Sequence, residues 1–189
     1  MSISSVSAYE VGKSIQLLKK NGKKVIAYGD FLSQSQYLLA SYADEIILNP
    51  FGMVFLEGFK KYQIYLKDFL DNNNIVVNTF VAGDYKSATE IFSESKMSEQ
   101  DRQQSKIFLN DLWRNWLKEV SNNRSSLDVD INFFINNFND LDPSLSAAEK
   151  AKKYGLVDKI LSRIELRNYF YKLENNDENS DAKEPRTVS

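Results

Sequence analysis

Residues 24–58 read KVIAYGDFLSQSQYLLASYADEIILNPFGMVFLEG, and the order of elements in this stretch decides the fold. KVIAYGDF (24–31) is a β-branched, apolar run that fits a buried strand. SQSQYLLASYA (33–43) enters from a polar turn and suits a short helix carrying Tyr37, Leu38, Ser41 and Tyr42. DEIILNP (44–50) is a second strand, stopped by Asn49-Pro50. GMVFLEGF (52–59) reads as a third strand between glycines. Strand, helix and strand in succession favour a parallel or mixed sheet with helices packed on it.

The same alternation continues outward in both directions. The first 22 residues form a helix in which Val11, Ile15 and Leu18 fall at i, i+4 and i+7, ended by Asn21-Gly22. YQIYLKDFLDNNN (62–74) is amphipathic through Ile64, Leu66, Phe69 and Leu70, and the Asn cluster ends it. IVVNTFVAGDYK (75–86) is a strand followed by a loop. Ser98 with Asp101 three residues on is a capping-box pattern. Phe108, Leu112, Trp116 and Val120 then recur every fourth residue, which predicts a long helix. INFFINNF (131–138) fits either a strand or a helix. SLSAAEKAKKYG (144–155) is a helix with Gly155 placed for a left-handed cap. LVDKILSRIELRNYF (156–170) passes from strand to helix.

Residues 1–173 are therefore expected to form an α/β domain. Residues 174–189 are nearly free of apolar side chains and are expected to be a disordered linker or tail. The chain opens on a helix with no strand before it and closes on that tail. Both features suggest a piece of something longer, incomplete at its N-terminus.

Composition excludes several functions. The chain is 42% hydrophobic, enough for a genuine core, and its net charge of −2 gives no basic excess for nucleic acid. No apolar run reaches the 18 or so residues of a membrane span, and the first residues lack a secretory pattern. With no cysteine and no histidine, thiol nucleophiles, Ser–His–Asp triads and histidine-ligated zinc are excluded. A hydrolase built from this chain must use carboxylates or a lysine. The acidic residues single out no pair for glycoside hydrolysis, and no cofactor or metal is expected.

Lys86 is the candidate catalytic residue. It lies in Gly83-Asp84-Tyr85-Lys86-Ser87-Ala88, after a β-branched run, where α/β proteins usually keep their sites. A buried lysine loses charge more readily and, once neutral, can take a proton from a serine hydroxyl. Spacing alone favours a solvated lysine, since lysines are common and mostly exposed. Asp84 and Glu90 flank it and would oppose such a role if they faced it. Ser33 and Ser35 read as turn and cap residues. Trp113 and Trp116 read as core or interface, and Phe133, Phe134 and Phe138 as core rather than as a partner-facing cluster.

Several runs, in order, resemble the signal peptide peptidase A family, also called protease IV. They are GDFLSQSQYLLASYADEIILNPFGMVFLEG (29–58), GDYKSATEIF (83–92), MSEQDRQQ (97–104), VSNNR (120–124) and AAEKAKKYGLVDKI (147–160). The resemblance covers roughly residues 9–165. It implies a ClpP/crotonase-like fold and peptide hydrolysis by a Ser–Lys dyad, with Lys86 as general base. In the family's long form, one half supplies the lysine and the other the serine. The resemblance also implies leftover signal peptides as substrates and a homo-oligomer. It further implies a bacterial parent anchored in the inner membrane and facing the periplasm.

The departure lies at the nucleophile. In complete halves the serine stands three residues before a tyrosine. Tyr37 matches that tyrosine, which puts Gln34 at the nucleophile position. Ser35-Gln36 replaces the Gly-Gly of the oxyanion site. Ser33 and Ser35 flank Gln34, but one helical step turns a side chain by about 100°. The chain thus resembles an N-terminal, lysine-bearing half whose serine lies in a missing C-terminal half, and it is expected to be inactive alone. The alternatives are a non-catalytic assembly module of an oligomer and, last, a crotonase-type acyl-CoA enzyme, which the glycine-free turn at residues 30–36 disfavours.

Overall fold

The computed structural model describes residues 3–78, 91–125, 127 and 130–175. The chain divides into two compact units, one comprising residues 1–57 and 117–189 and the other residues 58–116.

The first unit is built on a parallel sheet in the order β1-β2-β3, with β1 at Ile26–Ser33, β2 at Glu45–Phe55 and β3 at Lys159–Ile160. The parallel pairing follows from the connection, since helix α2 (Gln34–Ser41) carries the chain from the end of β1 back to the start of β2. Ile46, Ile47 and Leu48 are fully buried in β2. A run of apolar residues buried on both faces is the pattern of a covered central strand.

β2 is longer than the sequence suggests, because Asn49-Pro50 does not end it. Gly29 lies opposite Leu48 while Phe31 lies opposite Met53, so Asn49, Pro50, Phe51 and Gly52 together face Asp30. Proline cannot donate to a ladder, and the bulge accommodates it. Asn49 closes the bulge, accepting the Phe51 N–H at 3.0 Å and donating to the Tyr28 hydroxyl at 3.1 Å. A side chain at Gly52 would put its Cβ 2.5 Å from the Asp30 carbonyl oxygen, so the bulge requires glycine there. The two strands expected across residues 44–59 are one bulged strand.

Helix α1 (Ser5–Lys20) starts at Ser4, whose hydroxyl accepts the Ser7 N–H at 3.0 Å. Its inner face differs from the expected stripe. Ala8 and Gly12 are buried, whereas Val11 and Leu18 are 45% and 51% exposed. The Tyr42 ring lies directly against Gly12. The absent side chain lets the ring approach, and the larger residues are turned outward.

Downstream, the long helix here called α4 spans Glu99–Asn123, and the unit boundary falls within it. Helix α5 (Ile131–Asn137) resolves the ambiguous aromatic run as helical. Asp130 caps it by accepting the Asn132 N–H at 2.9 Å, and Ile131 and Phe134 turn inward at i, i+3. Phe133 is exposed, so the core reading holds for Phe134 and fails for Phe133. Helix α6 (Ala147–Lys153) begins with a capping box between Ser146 and Glu149 and ends at Gly155, whose φ of 75° is left-handed as expected. Helix α7 runs over Arg163–Asn175, past the expected tail boundary at residue 174.

In the second unit, the helix expected over residues 62–74 is reduced to α3 (Lys67–Asn72), and Ile64 is exposed. Asn74 ends it with a φ of 53°, a left-handed conformation asparagine tolerates. The start of α4 is capped as expected, with Ser98 accepting the Asp101 N–H at 3.2 Å. Trp113 stacks on Trp116 at 4.9 Å and meets Phe59 edge-on, and Trp116 is buried, consistent with a packing role. Residues 75–78 have no regular structure, and the rest of the expected strand and loop lies outside the described residues.

Candidate active site

Lys86, with Asp84 and Glu90, lies outside the described residues. What the structure does describe is the turn from β1 into α2, where the family resemblance leads one to expect a nucleophile position.

Gln34 is the first residue of α2 and Ser33 its N-cap, held at φ −66° and ψ 164°. The side chains in this turn point in different directions. Gln34 reaches the end of β2, where its amide oxygen accepts the Glu57 N–H at 3.3 Å. Ser35 meets Ser5 at the start of α1, hydroxyl to hydroxyl, at 3.2 Å. Gln36 folds back on the cap, its amide oxygen accepting the Ser33 N–H at 2.9 Å. The roughly 100° step between helical neighbours produces this divergence. Ser35 and Gln34 therefore address different elements, and the turn is joined to the fold on both sides.

Tyr37 fixes the helix from below. It is fully buried, and its hydroxyl donates to the Leu156 carbonyl at 2.9 Å. Burial pushes the phenol well above its ordinary range, so it remains a donor at any working pH. Leu156 belongs to Gly155-Leu156-Val157-Asp158, the closing run of the sequence motifs.

Arg124, at the end of the VSNNR run, locks that element in place. Its guanidinium grips Asp158 with two parallel bonds, Nη1 to Oδ2 at 2.8 Å and Nη2 to Oδ1 at 2.9 Å. Nη2 also donates to the Gly155 carbonyl at 3.2 Å. Asp158 in turn accepts the Ile46 N–H at 2.6 Å, which ties the pair to β2. Arg124 is only 5% exposed. Burial works against its charge, but the Asp158 carboxylate outweighs burial and holds its pKa above the ordinary value. Three runs far apart in sequence thus meet under α2: Tyr37, Arg124 and residues 155–158.

Nothing in the spacing of Arg124 or Asp158 marks this pairing. They were legible only as ends of motifs. A second joint, also absent from the sequence reading, lies beside α1. Glu119 accepts the Tyr42 hydroxyl at 2.7 Å and pairs with Lys13 at 3.0 Å. Among the described residues, no three acidic side chains gather closely enough to hold a metal ion, and no helix is long and apolar enough to cross a membrane.

The family model for Peptidase family S49 matches residues 17–175, which takes in the β1–α2 turn, Arg124 and the closing run. The chain belongs to peptidase family S49. Within the family, it is 41% identical over 115 residues to "Protease 4" of Haemophilus influenzae, covering 61% of this chain and 19% of that protein. It is 40% identical over 114 residues to "Protease 4" of Salmonella typhi, covering 60% and 18%. It is 26% identical over 151 residues to "Serine protease SPPA, chloroplastic" of Arabidopsis thaliana, covering 80% and 21%. The chain thus spans about a fifth of the length of the S49 relatives it matches. The mixed α/β architecture with its parallel sheet is consistent with the S49 assignment.

Proposed function

We propose that the chain is the lysine-bearing part of an S49 serine endopeptidase, with a ClpP/crotonase-like fold, whose nucleophilic serine comes from another segment. The observation that supports this reading is the occupant of the β1–α2 turn. Tyr37 is kept and buried, while the position three residues before it holds Gln34, bonded to Glu57. An amide cannot serve as the attacking group, so the reaction needs a serine from outside this turn.

In this scheme Lys86 accepts the proton of that serine hydroxyl as the oxygen attacks the peptide carbonyl carbon. The resulting ammonium gives the proton to the departing amine. In the second half-reaction Lys86 takes a proton from the water that attacks the acyl carbon and passes it to the departing serine oxygen, which releases the acid and restores the neutral amine. Substrates would be apolar, extended segments such as leftover signal peptides. The parent would be a membrane-anchored oligomer facing the periplasm.

The test is to splice the chain into a full-length relative, replacing the matching segment of Haemophilus influenzae Protease 4, and to follow peptide hydrolysis. The chimera should cleave, and Lys86→Ala should lower the rate about 100- to 10,000-fold, the usual range for a lost general base. Unchanged turnover in that variant would overturn the proposal. The engagement of Gln34 and Ser35 with neighbouring elements favours one second reading, an assembly module in which this turn is a structural joint. That reading predicts that Lys86→Ala has no effect while Gln34→Ala alters assembly.

A further inference from the structure

Helix α7 is fastened to the sheet by charge and hydrogen bonds rather than by apolar burial. None of residues 163–174 is buried. Ile164, Phe170 and Leu173 are 66%, 39% and 41% exposed, so its larger apolar side chains add little to the core. The chain leaves β3 through Leu161, whose N–H still bonds to the Leu48 carbonyl at 3.0 Å, and turns at Ser162. Ser162 and Glu165 then cap the helix reciprocally, at 3.3 and 2.7 Å, so its first turn needs no partner in the sheet. Two latches hold the rest. Arg163 meets Asp30 of β1 at 2.7 Å, with side chains 76% and 50% exposed. Six residues on, the Tyr169 hydroxyl donates to Glu45 of β2 at 2.6 Å, and the Lys159 ammonium lies 4.0 Å from the centre of the Tyr169 ring. Lys159 also pairs with Glu45 at 2.6 Å, and Lys24 reaches the same carboxylate at 3.7 Å.

We infer that α7 is a latched strap, which swings away from the sheet as a unit about Leu161-Ser162 while β1 and β2 stay folded. The energetics divide the molecule at this hinge. Exposed ion pairs contribute little and are screened by salt, whereas Ile46, Ile47 and Leu48 of β2 are fully buried. Opening α7 therefore costs the latches alone, and opening β2 costs the core. Lifting the strap takes the tyrosine partner from Glu45 and bares Lys159 at the edge of the sheet. A detached helix of 13 residues is marginal in water, so a lifted α7 also loses the protection of its amides.

The strap is independent of Lys86 and of any peptidase chemistry. It is tested on the chain as it is, by hydrogen exchange with mass spectrometry at neutral pH, in urea below the unfolding transition. Amides of residues 166–173 should exchange about 100-fold or more faster than those of residues 46–48. Their rate should stay flat as urea rises, because lifting exposes little surface, while the β2 amides accelerate. Raising sodium chloride from about 0.05 to about 0.5 M should speed exchange in α7 about threefold or more. Tyr169→Phe, which keeps the ring and removes the bond to Glu45, should do the same, as should Arg163→Gln, which removes the pair with Asp30. Leu173→Ala, outside both latches, should exchange as the parent chain does. A common rate for α7 and β2, rising together with urea, would overturn the inference, since the helix would then open only with the whole fold. So would salt-insensitive exchange with parent-like rates in both latch variants, or a Leu173→Ala effect as large as theirs.

Discussion

Arg124 sets the gain of an ion pair directly against the cost of burial. Its guanidinium is 5% exposed, and its two-pronged grip on Asp158 satisfies the charge that burial penalises. Breaking a buried pair from one side leaves the other charge unpaired, which costs about 3–5 kcal/mol. Asp158→Asn should therefore lower stability by about that much in urea denaturation. Tyr37→Phe removes the hydroxyl that donates to the Leu156 carbonyl and also interacts with Arg124, a loss of about 1–3 kcal/mol. If Asp158→Asn proves no more harmful than Tyr37→Phe, the charge is not what holds the joint. Glu45 supplies a second prediction. Burial alone would raise its pKa, but the Lys159 ammonium and Tyr169 hydroxyl outweigh burial and hold it below the ordinary 4.5. A carboxylate lowered on folding contributes fully above 4.5 and stops contributing as pH falls through its folded value. Melting temperature should thus fall on acidification below about pH 4.5. Glu45→Gln should be less stable than the parent chain at neutral pH and lose less on acidification. Asp44 and Glu119, also held low, keep some of the acid limb in place. An acid limb of unchanged slope in Glu45→Gln would rule out the carboxylate as a contributor. Tyr37 was marked by the family resemblance, whereas the pairing of Arg124 with a residue 34 positions on was not, because only the folded chain brings the two together.

At the level of elements, the sequence was readable where a cap or a period specifies local geometry. Ser98 and Gly155 each mark a boundary through a hydrogen bond or a dihedral angle that depends on few neighbours. It misled where packing chose between faces. The spacing of Val11, Ile15 and Leu18 points to a bulky inner stripe. α1 instead packs through Ala8 and Gly12, because the Tyr42 ring needs the space a glycine leaves. Proline at position 50 reads as a stop, yet a bulge lets β2 continue past it. The α1 geometry makes a prediction whose sign decides it. Gly→Ala within an ordinary helix stabilises by roughly 0.5–1 kcal/mol. Gly12→Ala would drive a methyl into the Tyr42 ring, so it should destabilise by about 1–3 kcal/mol in thermal unfolding. A stabilised Gly12→Ala protein would mean that Tyr42 does not rest on this helix.

For the whole molecule, the alternation of strands and helices was enough to expect a parallel or mixed α/β sheet, and the three described strands pair in parallel because a crossover joins such neighbours. The site was only half legible. Tyr37 was marked by the family resemblance and the expected lysine at position 86 lies outside the described residues, while the joint of Arg124 with residues 155–158 depends on contacts that no spacing reveals. The proposed reaction also separates two roles that Lys86→Ala removes together, a positive charge and a proton acceptor. Arginine keeps the charge but stays protonated at any working pH. In the spliced full-length enzyme, Lys86→Arg should therefore be as inactive as Lys86→Ala if the amine takes the serine proton. If position 86 serves only to steady negative charge in the transition state, Lys86→Arg should retain a substantial part of the parent rate. Initial rates of the two variants on one uncharged peptide substrate, measured across pH 7–10, distinguish the cases. A Lys86→Arg rate within tenfold of the parent's would remove the lysine as base and leave it as an electrostatic residue.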